Sequence, residues 1–367
     1  MRPTIKRWTA RGITSIAAVL SVAAVTGFVY EQLGRWRDRT HPFRIGESID
    51  IGGRTININC AGAGSPTVIF EAGGGGHGGY GWNAVQPGVA RFTRACWYDR
   101  AGEGWSDPPP SARNSSMIAN DLHAVLQHTR IQGPIVLVGH SIGGEYVRIY
   151  TARFPFQVAG LVLVDSTHPD QREPAIMLSP VTRMSTPARR MICGLLPLAS
   201  RFGLIRFMLR NTRVDAPPEF SSQQSDAIRA LRDQRVKGVE TEAFQGCAAT
   251  KGGLLQPESG SGDVEVDEAA RRAGSLGNRP LFVLTAGQYW KPEGDPLAAQ
   301  QISEFHRVWV NQLQASLAKL STDGNQVVVE SSDHAIPENA PEAVVNAVRE
   351  VVMKARAGEG TEDRDLP

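Results

Sequence analysis

The stretch Ile135-Val136-Leu137-Val138-Gly139-His140-Ser141-Ile142-Gly143-Gly144 decides how this chain is read. Four apolar residues of the buried-strand type stop abruptly at Gly139-His140-Ser141-Ile142-Gly143, a G-x-S-x-G pattern. Glu145 to Phe154 then has helical character and stops at Pro155. Strand, tight turn and helix is the context of a nucleophile elbow, in which a serine sits in a strained turn at the top of a sheet. Such a turn needs small residues two before and two after the serine, and Gly139 and Gly143 stand there. Gly144 lets the helix pack close to the sheet. With 38 glycines in the chain, the bare pattern is a weak signal, and the flanking strand and helix carry the reading.

Working outward, 367 residues leave room for one large α/β domain with an insertion, or for two domains. Apolar content of 41% and charged content of 21% are those of a globular protein. A net charge of +2 with no long basic run speaks against a nucleic-acid partner. Cys60, Cys96, Cys193 and Cys247 show no C-x-x-C spacing, which argues against a zinc site, and no metal or cofactor is expected. Their even number leaves disulfides open in an exported chain.

Toward the N-terminus, Gly12 to Tyr30 carries no charge, and Arg2, Lys6, Arg7 and Arg11 precede it. That length suits a bilayer span and exceeds the core of a cleaved signal peptide. The expectation is a basic cytoplasmic leader over 1–11 and a retained signal anchor over 12–30, with the rest of the chain extracytoplasmic. Ser21-Val22-Ala23 offers a weak cleavage site, so a removed signal and a secreted product is the alternative. Arg35, Arg37 and Arg39 on the far side weaken the orientation without reversing it.

Between this segment and the elbow, Ile45–Ile51 and Thr55–Cys60 around Gly52-Gly53 read as a hairpin. Thr67–Phe70 reads as a buried strand that runs into Glu71-Ala72-Gly73-Gly74-Gly75-Gly76-His77. This glycine run lacks the Gly-Lys-Ser/Thr ending of a P-loop, and a dinucleotide loop would have to open a helix with an acidic residue further on. Its place one strand–helix–strand unit before the elbow favours a backbone oxyanion loop. Thr93–Tyr98 is the next strand and Ser115–Arg130 a helix. His123 and His128 on that helix read as surface or packing residues. Beyond the elbow, Val158–Val164 is a strand that ends at Asp165.

Alternating strands and helices imply a mostly parallel sheet covered on both faces, which binds ligands at the strands' carboxyl ends. Ser141, the Gly73–Gly76 loop, Asp99 and Asp165 all fall there. Residues 166–279 break the alternation and read as several helices with loops. Pro280–Thr285, Gln326–Glu330 and the helix Glu342–Ala355 resume it, so the core divides into 43–165 and 280–355, and the polar tail 356–367 is expected to be disordered. A nucleophilic serine needs a general base and an orienting acid. His334, directly after the last strand, is the candidate base, and His77 and His168 read as pocket lining.

The order Ser, Asp, His, together with Val68–Gly75, Tyr98–Asp107, Gly139–Gly144, Gly160–Asp165 and Asp333–His334, resembles the α/β-hydrolase fold-1 family. The resemblance implies an eight-stranded, mostly parallel sheet and a helical lid formed by 166–279. It implies a serine hydrolase; with the N-terminal apolar segment, the reading is a membrane-tethered enzyme acting on small-molecule carboxylic esters through an acyl-enzyme on Ser141. Ala72-Gly73 stands where the family has a histidine-glycine pair, and by that correspondence the oxyanion hole is the N–H groups of Gly74 and Ile142. Members with an aspartate nucleophile, the epoxide hydrolases and haloalkane dehalogenases, are disfavoured by Ser141. A lyase, an acyltransferase, a cofactor-free haloperoxidase, or a binding protein with an idle triad are the alternatives. In this fold the second strand lies antiparallel to the fourth, so the resemblance also implies a Cys60–Cys96 disulfide; Cys193 and Cys247, both in the lid, are a second candidate pair. Many members place the triad acid after the seventh strand, where this chain has Asp295 and Glu293; others place it at the end of the sixth, where Asp165 stands. Asp165 is preferred. Asp333 is expected to point away from its neighbour His334, and Asp99 to support the loop after the fourth strand. Finally, Leu195–Leu198 and Phe202–Leu209 are apolar stretches among arginines; they read either as lid helices packed on the core or as a segment that meets the membrane.

Overall fold

The computed structural model describes residues 3–40, 44–74, 78–111, 113–131, 133–171, 174, 186–209, 236–241, 264–290 and 292–362. Its centre is one sheet of eight strands in the order β1-β2-β4-β3-β5-β6-β7-β8. The strands are β1 (Glu47–Asp50), β2 (Thr55–Ala61), β3 (Thr67–Glu71), β4 (Ala95–Tyr98), β5 (Ile135–His140), β6 (Val158–Val164), β7 (Leu281–Ala286) and β8 (Gly324–Val329). Strand β2 is antiparallel to both β1 and β4, and every pairing from β4 through β8 is parallel.

The central strands are apolar on both sides, as a sheet covered twice requires. Val68, Phe70, Val136, Val138, Val162 and Val164 point to one face, where they meet Val344, Val348 and Val351 of the last helix, Pro341–Glu362. Ile69, Leu137, Leu161 and Leu163 point to the other, toward α3 (Ser115–His128) and α4 (Ile142–Arg153), which follow α1 (Pro3–Thr40) and the short α2 (Gln86–Ala90) along the chain. The last helix begins on a proline, which suits a first helical position. It runs seven residues beyond Ala355, where a polar tail was expected to begin. Ala355, Arg356, Ala357 and Glu359 favour helix and no proline interrupts them, so the two glycines there do not end it.

Cys60 and Cys96 face each other in the antiparallel β2–β4 register and are joined by a disulfide, with Cα atoms 4.1 Å apart. Cys193 is also disulfide-bonded; the pairing expected with Cys247 falls on a residue outside the described ones.

The segment between β6 and β7 contains the helices Thr186–Arg201, Leu204–Leu209 and Val264–Ala273, and the short stretch 236–241. Val264–Ala273, included in the lid by sequence, packs instead on α3 and α4: Val266 and Ala270 are buried against Ile118, Tyr146 and Ile149. Its buried side is only Val266, Asp267 and Ala270, a stripe too narrow to separate a core helix from a lid helix.

The first helix, Pro3–Thr40, holds a stretch, Ile13–Asp38, long and apolar enough to cross a membrane by length and composition. Most of Ile13–Tyr30 is exposed, with Ala24 and Gly27 partly buried. The end of the helix, in contrast, docks on the insert. Glu31 is wholly buried; it accepts from Arg206 Nε at 3.0 Å and from Arg35 Nε at 2.8 Å, and Arg206 Nη2 reaches Asp38 at 2.7 Å. A β-carbon at Gly34 would lie 2.3 Å from Arg206 Nε, so a side chain there would push the guanidinium from its place beside Glu31.

Candidate active site

Strand β5 delivers Ser141 to the top of the sheet with φ 54° and ψ −128°, a conformation that side-chain-bearing residues rarely adopt. The surrounding structure over-determines it. The Ser141 N–H donates to Val164 O at 3.1 Å, and its carbonyl accepts from Gly144 N and Thr167 N, both at 3.0 Å. A β-carbon on Gly139 would lie 2.5 Å from Gly143 O, one on Gly143 2.6 Å from Ala72 O, and one on Gly144 2.0 Å from Ser166 Oγ. All three glycines are therefore sterically required, as the elbow reading anticipated.

Asp165 ends β6 as a wholly buried residue with φ 38°. Its Oδ2 lies 2.7 Å from Nδ1 of His334, while Oδ1 accepts from Ala286 N at 3.0 Å and from Trp309 Nε1 at 2.9 Å. The carboxylate is thus held by three donors, and the imidazole's Nδ1 must carry the proton it shares with Asp165. Nε2 remains as the basic nitrogen. The His334 side chain is about half exposed, so that nitrogen is not sealed in the core.

The other acid candidates are occupied elsewhere. Asp295 caps the helix Pro296–Val308, accepting from Ala298 N at 3.0 Å. Glu293 is exposed. Asp333 accepts from Ala335 N at 3.0 Å and Asn339 Nδ2 at 2.8 Å, a local turn beside His334. Asp99 is wholly buried and gathers Gly79 N, Trp105 N and Asn57 Nδ2 at 2.8–3.0 Å, the supporting role expected of it. Burial pushes its carboxyl up to about 6.

Of the proposed oxyanion donors, Ile142 opens α4 directly after the serine, and Gly74 follows Gly73. A β-carbon on Gly73 would stand 3.2 Å from Ser141 Cβ, so the glycine loop backs onto the elbow serine. His77 lies outside the described residues. Among the described residues, no group of three or more His, Cys, Asp or Glu side chains is placed to hold a metal ion.

Three residues at the site were not singled out in the sequence. His140 donates Nε2–H to the carbonyl of His334 at 2.8 Å, with the two rings 4.8 Å apart. Burial, reinforced by His334, lowers it to about 4, which keeps it a neutral donor. Trp309 opens a π-helical turn, Trp309–Gln314, whose Gln314 also donates to Ser166 O at 2.7 Å. Such turns often occur at functional sites, but no sequence pattern marks this one. Buried Arg100 donates Nη1 to Glu71 Oε1 at 2.6 Å and to Ala72 O at 2.5 Å, and Nη2 to Gly73 O at 2.6 Å. Its place in the Asp99-Arg100-Ala101-Gly102 turn was the only signal for it.

His168, read as pocket lining, is a buried tie. Its Nδ1 accepts from Asp170 N and its Nε2 donates to Ser316 Oγ, both at 3.0 Å. Desolvation lowers it to about 4, against the pull of Asp170 and with that of Arg148 and Arg271. Between pH 6.5 and 4 the unfolded chain therefore binds a proton here that the fold refuses, so this contribution to stability is lost as pH falls. In urea titrations, the stability gap between the parent and His168→Gln is expected to shrink by up to about 1.4 kcal/mol per pH unit across that window. A gap that does not vary with pH means that the fold does not hold His168 neutral.

A family model described as alpha/beta hydrolase fold matches residues 66–191. The chain is 32% identical over 132 residues to an uncharacterized vacuolar membrane protein of Saccharomyces cerevisiae, a match that takes in 34% of this chain and 19% of that one. It is 31% identical over 128 residues to the 2-(acetamidomethylene)succinate hydrolase of Mesorhizobium japonicum, covering 34% and 43% of the two chains. A thermophilic esterase from Thermogutta terrifontis superposes with a TM-score of 0.51 at 19% identity, covering 84% of this chain and 98% of that one. The strand order and these matches together give the chain the alpha/beta hydrolase fold.

Proposed function

We propose that this protein is a serine hydrolase of carboxylic esters, tethered by its first helix with the remainder extracytoplasmic. The observation that carries the reading is the 2.7 Å contact between Asp165 Oδ2 and His334 Nδ1, formed beside a serine held at φ 54°. In this reading Ser141 Oγ attacks the ester carbonyl carbon and passes its proton to His334 Nε2. The tetrahedral oxyanion is held by Gly74 and Ile142 N–H, a contribution of about 3 kcal/mol per donor. Collapse breaks the C–O bond, and the departing alkoxide takes the proton from His334. Water then attacks the acyl-enzyme with His334 as base, releasing the acid and restoring Ser141. Asp165 stays ionised throughout and holds the imidazolium.

The hydrolase named among the relatives favours this over the lyase and acyltransferase alternatives. The apolar first helix and the vacuolar membrane relative support the tether, and the Cys60–Cys96 disulfide fits an oxidising compartment. A fluorophosphonate probe is expected to label the chain at Ser141 and to leave Ser141→Ala unlabelled. A folded parent that resists the probe favours a binding protein with an idle triad. Profiling p-nitrophenyl esters of rising chain length then gives the acyl preference.

A further inference from the structure

The insert helices Thr186–Arg201 and Leu204–Leu209 expose an unusual amount of apolar surface. Leu195, Leu198, Phe202, Leu204, Phe207 and Met208 are each between 39% and 71% accessible. Isolated exposed leucines need no explanation, but six within fourteen residues of sequence form a patch that soluble proteins normally bury. From Thr186 to Arg213 the chain carries six arginines and no acidic residue. Arg206 is paired with Glu31 and Asp38, and Arg201 is exposed; an apolar face in a stretch whose only charged residues are arginines matches an anionic lipid surface.

The patch is also continuous with the first helix. A β-carbon on Gly27 would lie 2.5 Å from the carbonyl oxygen of Phe202, and one on Gly203, at φ 71°, would lie 2.9 Å from the Tyr30 ring. The turn between the two insert helices is thus pressed against the end of the charge-free run Gly12–Tyr30. At about 1.5 Å per residue that run spans about 28 Å, close to a hydrocarbon core. Gly27 sits roughly 5 Å inside its end by the same rise. Just past that end, the Glu31–Arg206–Asp38 cluster and the Arg35–Glu240–Ser200 contacts, at 2.6–3.3 Å, fix the insert at this height.

We infer that the two insert helices lie in the outer face of an anionic bilayer, clamped there by the first helix, and that the ester consumed is one dissolved in that bilayer. The inference rests on the reading of the first helix as a membrane span. The insert between β6 and β7 therefore faces lipid, and in this proposal an acyl chain reaches Ser141 from the membrane side.

The test uses the full chain in vesicles of phosphatidylcholine with phosphatidylglycerol, disulfides intact. An environment-sensitive fluorophore is placed by Leu198→Cys, by Met208→Cys, and by Phe156→Cys as a control that is 96% exposed at the opposite end of the sheet. With acyl-chain-brominated lipid, the probes at 198 and 208 are expected to shift blue and lose about half or more of their emission, and the probe at 156 neither. A chain that floats with the vesicles while 198 and 208 remain unquenched overturns the inference and leaves the anchor standing. A chain that does not float with them removes the anchor and the inference together. In a second arm, Leu198→Asp with Met208→Asp is expected to slow hydrolysis of a vesicle-borne long-chain ester about tenfold or more, from the lost apolar burial, with p-nitrophenyl acetate unaffected. An equal loss on both esters, or no loss on either, rejects membrane delivery of the substrate. A folded chain inert toward every ester counts against the proposed hydrolysis, and the quenching still decides where the insert lies.

Discussion

Asp165→Asn is expected to lower kcat by about 10³–10⁴ while leaving the circular dichroism of the chain unchanged, because the acid's role is to fix one tautomer of the base. The present carboxylate gives Oδ2 to His334 Nδ1–H and Oδ1 to Ala286 N–H and Trp309 Nε1–H. An amide has one acceptor oxygen for those three donors. If its oxygen keeps Ala286 and Trp309, its NH₂ faces His334 and draws the imidazole proton to Nε2, where a base must be empty. Asp295→Asn, by contrast, is expected to stay within about tenfold of the parent, since asparagine caps a helix about as well as aspartate does. Steady-state kinetics on one soluble ester compare the two. The opposite ranking would move the acid to the loop after β7.

The second large effect is expected at Arg100. Its guanidinium closes a buried cluster in which Glu71 also receives the Tyr98 hydroxyl, and Glu103 receives both Arg100 Nε at 3.1 Å and Arg113. Burial raises the Glu71 carboxyl despite the neighbouring cation. Arg100→Met leaves these carboxylates without their shared cation, and breaking a buried pair in this way costs about 3–5 kcal/mol. It also frees the Ala72 and Gly73 carbonyls, the two residues that lead into the proposed donor Gly74. Arg100→Lys keeps the charge but not the fork that reaches two carbonyls and two carboxylates together. It is expected to cost less in thermal stability and to lose kcat more than KM changes. If Arg100→Lys retains full kcat, the guanidinium serves stability and not the loop.

How much of this was legible follows from how local each signal is. The elbow is a contiguous ten-residue pattern, so it can be read from sequence, although two of its glycines, Gly143 and Gly144, are dictated by Ala72 and Ser166, which follow other strands. The strand ends carrying Asp165 and the position of His334 follow from counting strands, and the two do meet. The place of Asp295 is set by something equally local, an aspartate before proline at a helix start. What the sequence could not reveal are contacts between distant segments. Trp309 reaches Asp165 across 144 positions and Arg206 reaches Glu31 across 175. Neither pairing leaves a periodicity or a spacing. The helix Val264–Ala273 was assigned to the wrong layer for the same reason, since what covers α4 is decided in three dimensions.

The seat of the acid on β6 has an evolutionary consequence. In the arrangement proposed here, the loop after β7, from Gly287 to Asp295, carries none of the three triad residues. Gly287, Gln288 and Tyr289 line a hollow of about 320 Å³ with Ile302, Ser303 and His306, and Asp295 only starts a helix. Insertions, deletions and exchanges there change the wall of a cavity without displacing the charge that orients His334. Descendants of such a chain can diversify that wall by small steps, each of which keeps a working triad.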